Sequence, residues 1–143
     1  MQLEYYSLPL KPEAIMCRKE HPKCSLRQSV AQQLHLILTT AFGEVPTEEN
    51  FGCNIWDHDF DKLTSGTKIM ELIRQSLLLS IRQYEKRLGN VRVDVNVQQE
   101  EFAEGASARR IKKRLNVTVS GLLQTTNETF TYNDRFFVGP LSY

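Results

Sequence analysis

The spacing of apolar positions changes character along the chain. Residues 1–24 hold no sustained helical period, and Pro9, Pro12 and Pro22 would interrupt one. They read as an extended arm with an edge strand over 3–8. From Ser25 onward, Leu26, Val30, Leu34, Ile37, Leu38 and Ala41 recur at helical spacing and form one stripe. Ser25-Leu26-Arg27-Gln28 is a capping-box pattern, in which the two side chains satisfy backbone N–H groups left over at a helix start. Gly43, able to take the left-handed conformation, is expected to end that helix. Residues 44–65 read as an irregular loop anchored by Phe51, Ile55, Trp56 and Phe60. Such a long loop is uncommon in a compact domain unless it packs or binds something. A second stripe, Ile69, Leu72, Ile73, Leu77, Ile81, Tyr84 and Leu88, predicts a helix over 67–88 with Gly89 as its stop.

Beyond Gly89 the period falls to two. Val91, Val93, Val95 and Val97 alternate with Arg92, Asp94 and Asn96, the pattern of a half-buried strand. The polar stretch 98–108 predicts a long hairpin loop. Ile111, Lys113, Leu115, Val117, Val119, Gly121 and Leu123 then share one face of a second strand. Lys113 interrupts that set, so packing should begin near Leu115. Residues 125–128 are turn-like, and 129–132 continue as a third strand. The expected architecture is a single α+β domain over 1–143. Its parts are the arm (1–24), two helices with a long connection (25–88), and a small antiparallel sheet (89–143).

Composition narrows the function classes. A chain of 143 residues is one domain by length and buries roughly two-thirds of its unfolded surface. Eighteen Lys and Arg against 17 Asp and Glu leave a net charge of +1, without the basic excess of a nucleic-acid binder. The longest apolar run is Leu77-Leu78-Leu79, far short of the ~20 residues that span a bilayer. The start, Met1-Gln2-Leu3-Glu4-Tyr5-Tyr6, lacks the basic and apolar regions of a signal peptide. Three cysteines, an odd number with no export signal, fit free thiols in a reducing cytoplasm. The sequons at Asn116 and Asn127 then read as chance matches.

Candidate chemistry is sparse. Cys17, His21, Cys24 and Cys53 could supply four zinc ligands, but paired C-x-x-C knuckles are missing, and free thiols are the preferred reading. Trp56-Asp57-His58-Asp59-Phe60-Asp61 sets three carboxylates beside a histidine, which could suggest acid–base work. A solvated acidic turn pinning Trp56 and Phe60 into the core explains it more simply. His35, beside Leu34 in the first helix, reads as a satisfied helix histidine. There is no Gly-rich phosphate loop, nucleophile elbow or HExxH, so no cofactor is implied. A lysozyme-like carboxylate pair could be drawn from any of the 17 acids and has no specificity. No residue is assigned a catalytic or metal-binding role.

Glu85-Lys86-Arg87 is more informative. Arg87 would sit in the last helical turn, where the helix dipole favours a cation, and Glu85 there is disfavoured without a partner. At i, i+2 their side chains do not face each other on a regular helix. Either one points elsewhere, or the helix unwinds, or Glu85 pairs locally with Arg82.

Several short motifs occur in a fixed order. Thr39 or Thr40 leads to Gly43-Glu44, Asn50-Phe51-Gly52-Cys53-Asn54-Ile55-Trp56-Asp57 forms an aromatic-glycine loop, Phe60-Asp61 closes it, and Glu85-Lys86-Arg87 ends the second helix. In that order they resemble the GPW or gene-25-like baseplate wedge family of contractile injection machines, whose type VI secretion member is TssE. The likeness runs from about 25 to 132. Lys86 stands where the family usually has proline, so the enforced helix break is missing. The arm and the polar hairpin have no counterpart in the pattern. The resemblance implies a structural baseplate component in the bacterial cytoplasm, in a baseplate docked at the inner membrane. Its implied partners are other wedge subunits (TssF-, TssG- and TssK-like) and sheath subunits (TssB- and TssC-like), with no nucleic acid and no membrane insertion. Glu85 and Arg87 would contact or orient partner chains, and a sheet edge, at 91–97 or 129–132, would receive sheath strands. The rival from another class is a peptidoglycan hydrolase using a carboxylate pair.

Overall fold

The computed structural model describes residues 4–57, 66–104 and 108–138, without side chains at 66, 67, 100–104 and 108–112. The first long helix begins as its sequence dictates. Ser25 Oγ accepts from Gln28 N at 3.3 Å, and Gln28 Oε1 accepts from Ser25 N at 3.1 Å. This helix, α2 (Leu26–Thr39), buries Val30, Leu34, Ile37 and Leu38. Its end differs from expectation. Thr40 is already extended (φ −103°, ψ 129°), and the Thr39 and Thr40 hydroxyls bond back to the His35 and Leu36 carbonyls at 2.7 and 2.6 Å. Such local bonds offer the backbone an alternative to the next helical turn. Gly43 (φ +80°) instead serves the turn that follows, closed by Glu44 N donating to Ala41 O at 3.2 Å. The Glu44 carboxylate accepts from Ala41 N at 2.8 Å, so the Gly-Glu dipeptide secures both sides of that turn.

The connection after α2 is ordered where it is described. Cys53 N donates to Thr40 O at 3.0 Å, and Ala41 and Cys53 form a parallel bridge. Cys53 and Ile55 are buried, and Ile55–Asp57 form one 3-10 turn. Trp56 is not pinned inside: it is 43% exposed, donates Nε1–H to Leu38 O at 3.0 Å, and meets Phe136 edge-on at 5.8 Å. The rest of the expected acidic turn, His58, Asp59, Phe60 and Asp61, lies outside the described residues.

The second long helix, α3 (Gly66–Tyr84), buries Ile73, Leu77 and Ile81, while Leu72 of its expected stripe is 45% exposed. It ends four positions short of Leu88. Leu88 is buried, but as the first residue of a strand. An apolar residue in phase with a helix does not reveal that the chain has already changed conformation.

The arm is more structured than expected. Its start, β1 (Tyr5–Tyr6), pairs antiparallel with β2 (Lys23–Cys24), Tyr5 opposite Cys24. Between them lies a short helix, α1 (Pro12–Met16), that the prolines seemed to forbid. Pro12 occupies the first turn, where a missing N–H costs nothing and a fixed φ favours the helix.

Three strands complete the fold: β3 (Leu88–Glu104), β4 (Ala108–Leu123) and β5 (Thr129–Phe137). They form an antiparallel sheet in the order β3-β4-β5, a meander with β4 in the middle. Val93, Val119 and Tyr132 stand in one register row, and Val95, Val117 and Asp134 in the next. Val91 and Val93 of β3, Leu115, Val117, Val119 and Leu123 of β4, and Phe130 of β5 join α2 and α3 in one hydrophobic core. The expected start of packing at Leu115, 0% exposed, agrees. The expected hairpin loop over 98–108 is mostly strand: the ladder continues through Gln98↔Arg114 and Glu100↔Lys112 to Glu104↔Ala108. Polarity there marks a stretch of sheet beyond the core, not irregular backbone.

Candidate partner-facing site

Glu85 and Arg87 meet where α3 turns into β3. Glu85 N still donates to Ile81 O at 2.8 Å, the last helical bond, and the backbone then unwinds. Unwinding lets two side chains at i, i+2 face each other. Arg87 Nε donates to Glu85 Oε1 at 2.8 Å, and Nη2 donates to Oε2 at 2.7 Å. This is a two-pronged guanidinium–carboxylate pair. The Arg87 backbone N–H adds a third bond to Oε1 at 3.1 Å. Glu85 is 2% exposed and the Arg87 side chain 29%, so the charges lie at the boundary between core and surface.

Arg87 also ties the surrounding elements together. Its Nη1 donates to Ser29 Oγ on α2 at 2.7 Å, and its guanidinium lies 5.1 Å from the centre of the Tyr5 ring on β1. Its carbonyl accepts from Gln124 N, in the β4–β5 turn, at 2.9 Å. The Glu85 carboxylate pushes the Arg87 pKa up further, because it favours the charged guanidinium. Glu85 and Arg87, expected from sequence, are thus brought together, and the break forms without the family's proline. Ser29, Tyr5 and Gln124 were not foreseeable. Ser29 lies 58 positions from Arg87, with no local signal to connect them.

The aromatic-glycine loop packs beside this node. Ser80 of α3, 5% exposed, donates to Gly52 O at 2.6 Å, and Phe51 meets Tyr84 edge-on at 5.1 Å. Gly52 has φ +117°, and a Cβ there would lie 2.4 Å from Thr40 O, so only glycine fits. The arm is held by His21, whose Nε2 lies 2.7 Å from Ser7 O, and by Leu8 N donating to Gln32 Oε1 at 3.2 Å.

The cysteines and histidine weighed as zinc ligands are used separately. Cys53 Sγ donates to Leu38 O inside the core at 3.4 Å, Cys24 Sγ lies 3.5 Å from Tyr6 O, and Cys17 is exposed. Among the described residues no group of three or more His, Cys, Asp and Glu converges as a metal site would. His35 is a helix histidine with a partner, as expected, and the partner comes from the sheet: its Nδ1 lies 2.9 Å from Asp134 Oδ2, and the Tyr132 hydroxyl donates to the same oxygen at 2.7 Å. Burial works to raise the Asp134 pKa. The Tyr132 hydroxyl, His35 and the Arg135 N–H outweigh burial and hold it below the usual carboxylate range. Glu71, beside Arg74, is held down to about 2.

Among the described residues no helix is long and apolar enough to cross a membrane. A solved structure of a Geobacter sulfurreducens protein described as a tail lysozyme superposes with a TM-score of 0.57 at 22% identity. The match covers 83% of this chain and 96% of that one, and it establishes a shared α+β fold. No curated protein matches the chain. The profile of the family described as baseplate wedge protein gp25 matches residues 24–128, which include α2, α3, the Glu85–Arg87 node and the sheet up to the β4–β5 turn. The chain belongs to the gene-25-like baseplate wedge family and is a structural baseplate component.

Proposed function

We propose that the chain serves a contractile injection machine of the type VI secretion kind, holding neighbouring wedge subunits and receiving strands from the first sheath ring along β3. It acts by shape and backbone pairing, without catalysis. The observation that carries the reading is the sheet order: β4 is central, so β3 and β5 each present an edge. An edge strand gives affinity through main-chain hydrogen bonds and specificity through alternate side chains. Of the two, β3 is the better receiver. At the start of β5 the Thr129 carbonyl is already taken by Arg27 Nη2 of α2 at 2.9 Å.

In this account Glu85 and Arg87 orient the docking surface rather than reach across it. Arg87 joins the α3–β3 turn to α2, to β1 and to the β4–β5 turn, so partners meet a surface whose parts share one anchor. Wedge subunits resembling TssF, TssG and TssK, and sheath subunits resembling TssB and TssC, are the proposed partners.

Proline substitutions test the edge. Along a strand, N–H groups of successive residues point to opposite sides, so of Asn96→Pro and Val97→Pro one spares the β3–β4 ladder. The variant that keeps its fold should lose co-purification of sheath subunits from the native cell. Retained co-purification with that variant overturns the assignment of β3.

A further inference from the structure

The core takes one side of α3, and the opposite side has a pattern of its own. Ile73, Leu77 and Ile81 are buried, while Leu72 and Leu79 are 45 and 67% exposed. Seven residues apart, the two leucines lie on one line along the helix, about half a turn round from the buried set. Lys68, Gln75 and Arg82 fall on the same line, so spacings of four and three repeat from Lys68 through Leu72, Gln75 and Leu79 to Arg82. This is the spacing of a seam that packs against another helix. We infer that the outer side of α3 is a docking site for an acidic amphipathic helix of a partner protein, which sets apolar residues over Leu72 and Leu79 and carboxylates beside Lys68 and Arg82.

Charge complementarity identifies the occupant. Lys68 and Arg82 are exposed, and among the described residues neither side chain enters an ion pair or a hydrogen bond. Glu71, the only acid in the α3 sequence, is held on the flank: Arg74 Nε donates to its Oε2 at 2.9 Å and Gln75 Nε2 to its Oε1 at 3.0 Å. The seam thus carries a free cation at each end and two leucines between, with no acid of its own left to neutralise it. A helix whose apolar stripe is bounded by acids matches both features, and a basic one is repelled.

A second copy of the chain is the wrong occupant. Two α3 seams packed antiparallel would set Lys68 of each copy against Arg82 of the other, and packed parallel would set each cation against its own counterpart. Both arrangements oppose like charges. The spacing also fixes what fits. Lys68 and Arg82 stand roughly 21 Å apart along the axis at 1.5 Å per residue, so the occupant's acids must lie about four turns apart with its apolar residues between them. Docking here is independent of strand reception at β3, because it uses the outer side of a helix and not the sheet.

The test titrates the whole chain with two helical peptides that share their leucines and differ in charge, following backbone amide shifts by NMR. One carries Glu and the other Lys at the positions that face Lys68 and Arg82. Saturable shifts along 68–83 are expected with the Glu peptide and absent with the Lys peptide. Leu79→Ser should weaken the Glu peptide at least tenfold, and Lys68→Glu combined with Arg82→Glu should reverse the preference between the peptides. Equal responses to the two, no saturable shift with either, or unchanged affinity in Leu79→Ser overturn the assignment. A dimer of the chain alone in sedimentation, dispersed by Leu79→Ser, would give the face to a second copy and overturn it as well. The comparison of peptides needs no variant and holds even if a substituted chain fails to fold.

Discussion

Replacing Arg87 with alanine should cost stability out of proportion to one surface side chain. Glu85, 2% exposed, would lose the guanidinium bonds at 2.8 and 2.7 Å, retaining only the backbone N–H of residue 87. Removing one partner of a buried pair costs about 3–5 kcal/mol, because the other charge is left uncompensated. The Arg87 side chain is 29% exposed, so water can reach the vacated space, and the lower end, about 3 kcal/mol, applies. For a chain of this length that corresponds to a fall in Tm of about 9 °C. Urea denaturation of the wild type, Arg87→Ala, Glu85→Ala and the double variant reads it directly. The double variant should be less destabilised than the sum of the singles by at least ~1 kcal/mol, because the pair acts as a unit. A loss below ~1 kcal/mol in Arg87→Ala, or strict additivity, would refute a pair that is both buried and coupled.

Other expectations follow from particular contacts. Gly52→Ala combines φ +117° with a Cβ 2.4 Å from Thr40 O, and should cost at least ~2 kcal/mol by denaturant titration. Asp134 has its pKa lowered on folding, so its stabilising contribution is complete above the unfolded value near 3.9 and lost as pH falls through the lower folded value. Asp134→Asn should therefore flatten the acid limb of stability below about pH 4, as read by Tm against pH. A thiol reagent should label exposed Cys17 at once and buried Cys53 only on unfolding, with mass spectrometry giving the order.

The parts of the fold that were legible in sequence are those fixed by local pattern. The start of α2 depends on Ser25 and Gln28, three residues apart, and the central sheet on apolar side chains alternating from Val91 and from Leu115. What the sequence hid depends on context. Pro12 can interrupt a helix or begin one, and only pairing of the flanking strands decides which. Residues 98–104 look like loop because they are polar, yet their partner strand runs alongside them to Ala108. The apolar phase of α3 continues into Leu88 although the helix has already ended at Tyr84.

The site was legible by halves. The spacing of Glu85 and Arg87 posed the choice between diverging side chains and an unwound helix, and the short bidentate bonds are the outcome of unwinding. Its wider connections were silent, because Tyr5, Ser29 and Gln124 reach Arg87 only once separate elements have packed. The His35–Asp134–Tyr132 cluster was missed for the same reason: His35 and Asp134 lie 99 positions apart and meet only when α2 settles on β5.

The central claim is that this baseplate wedge chain works by assembly. The most direct measurement is the number of extended sheaths per cell, counted with a fluorescent sheath subunit, in native cells lacking the chain and in cells where it is restored. Sheaths should be absent without it and return with the wild-type chain. Normal sheath numbers in its absence would contradict the account.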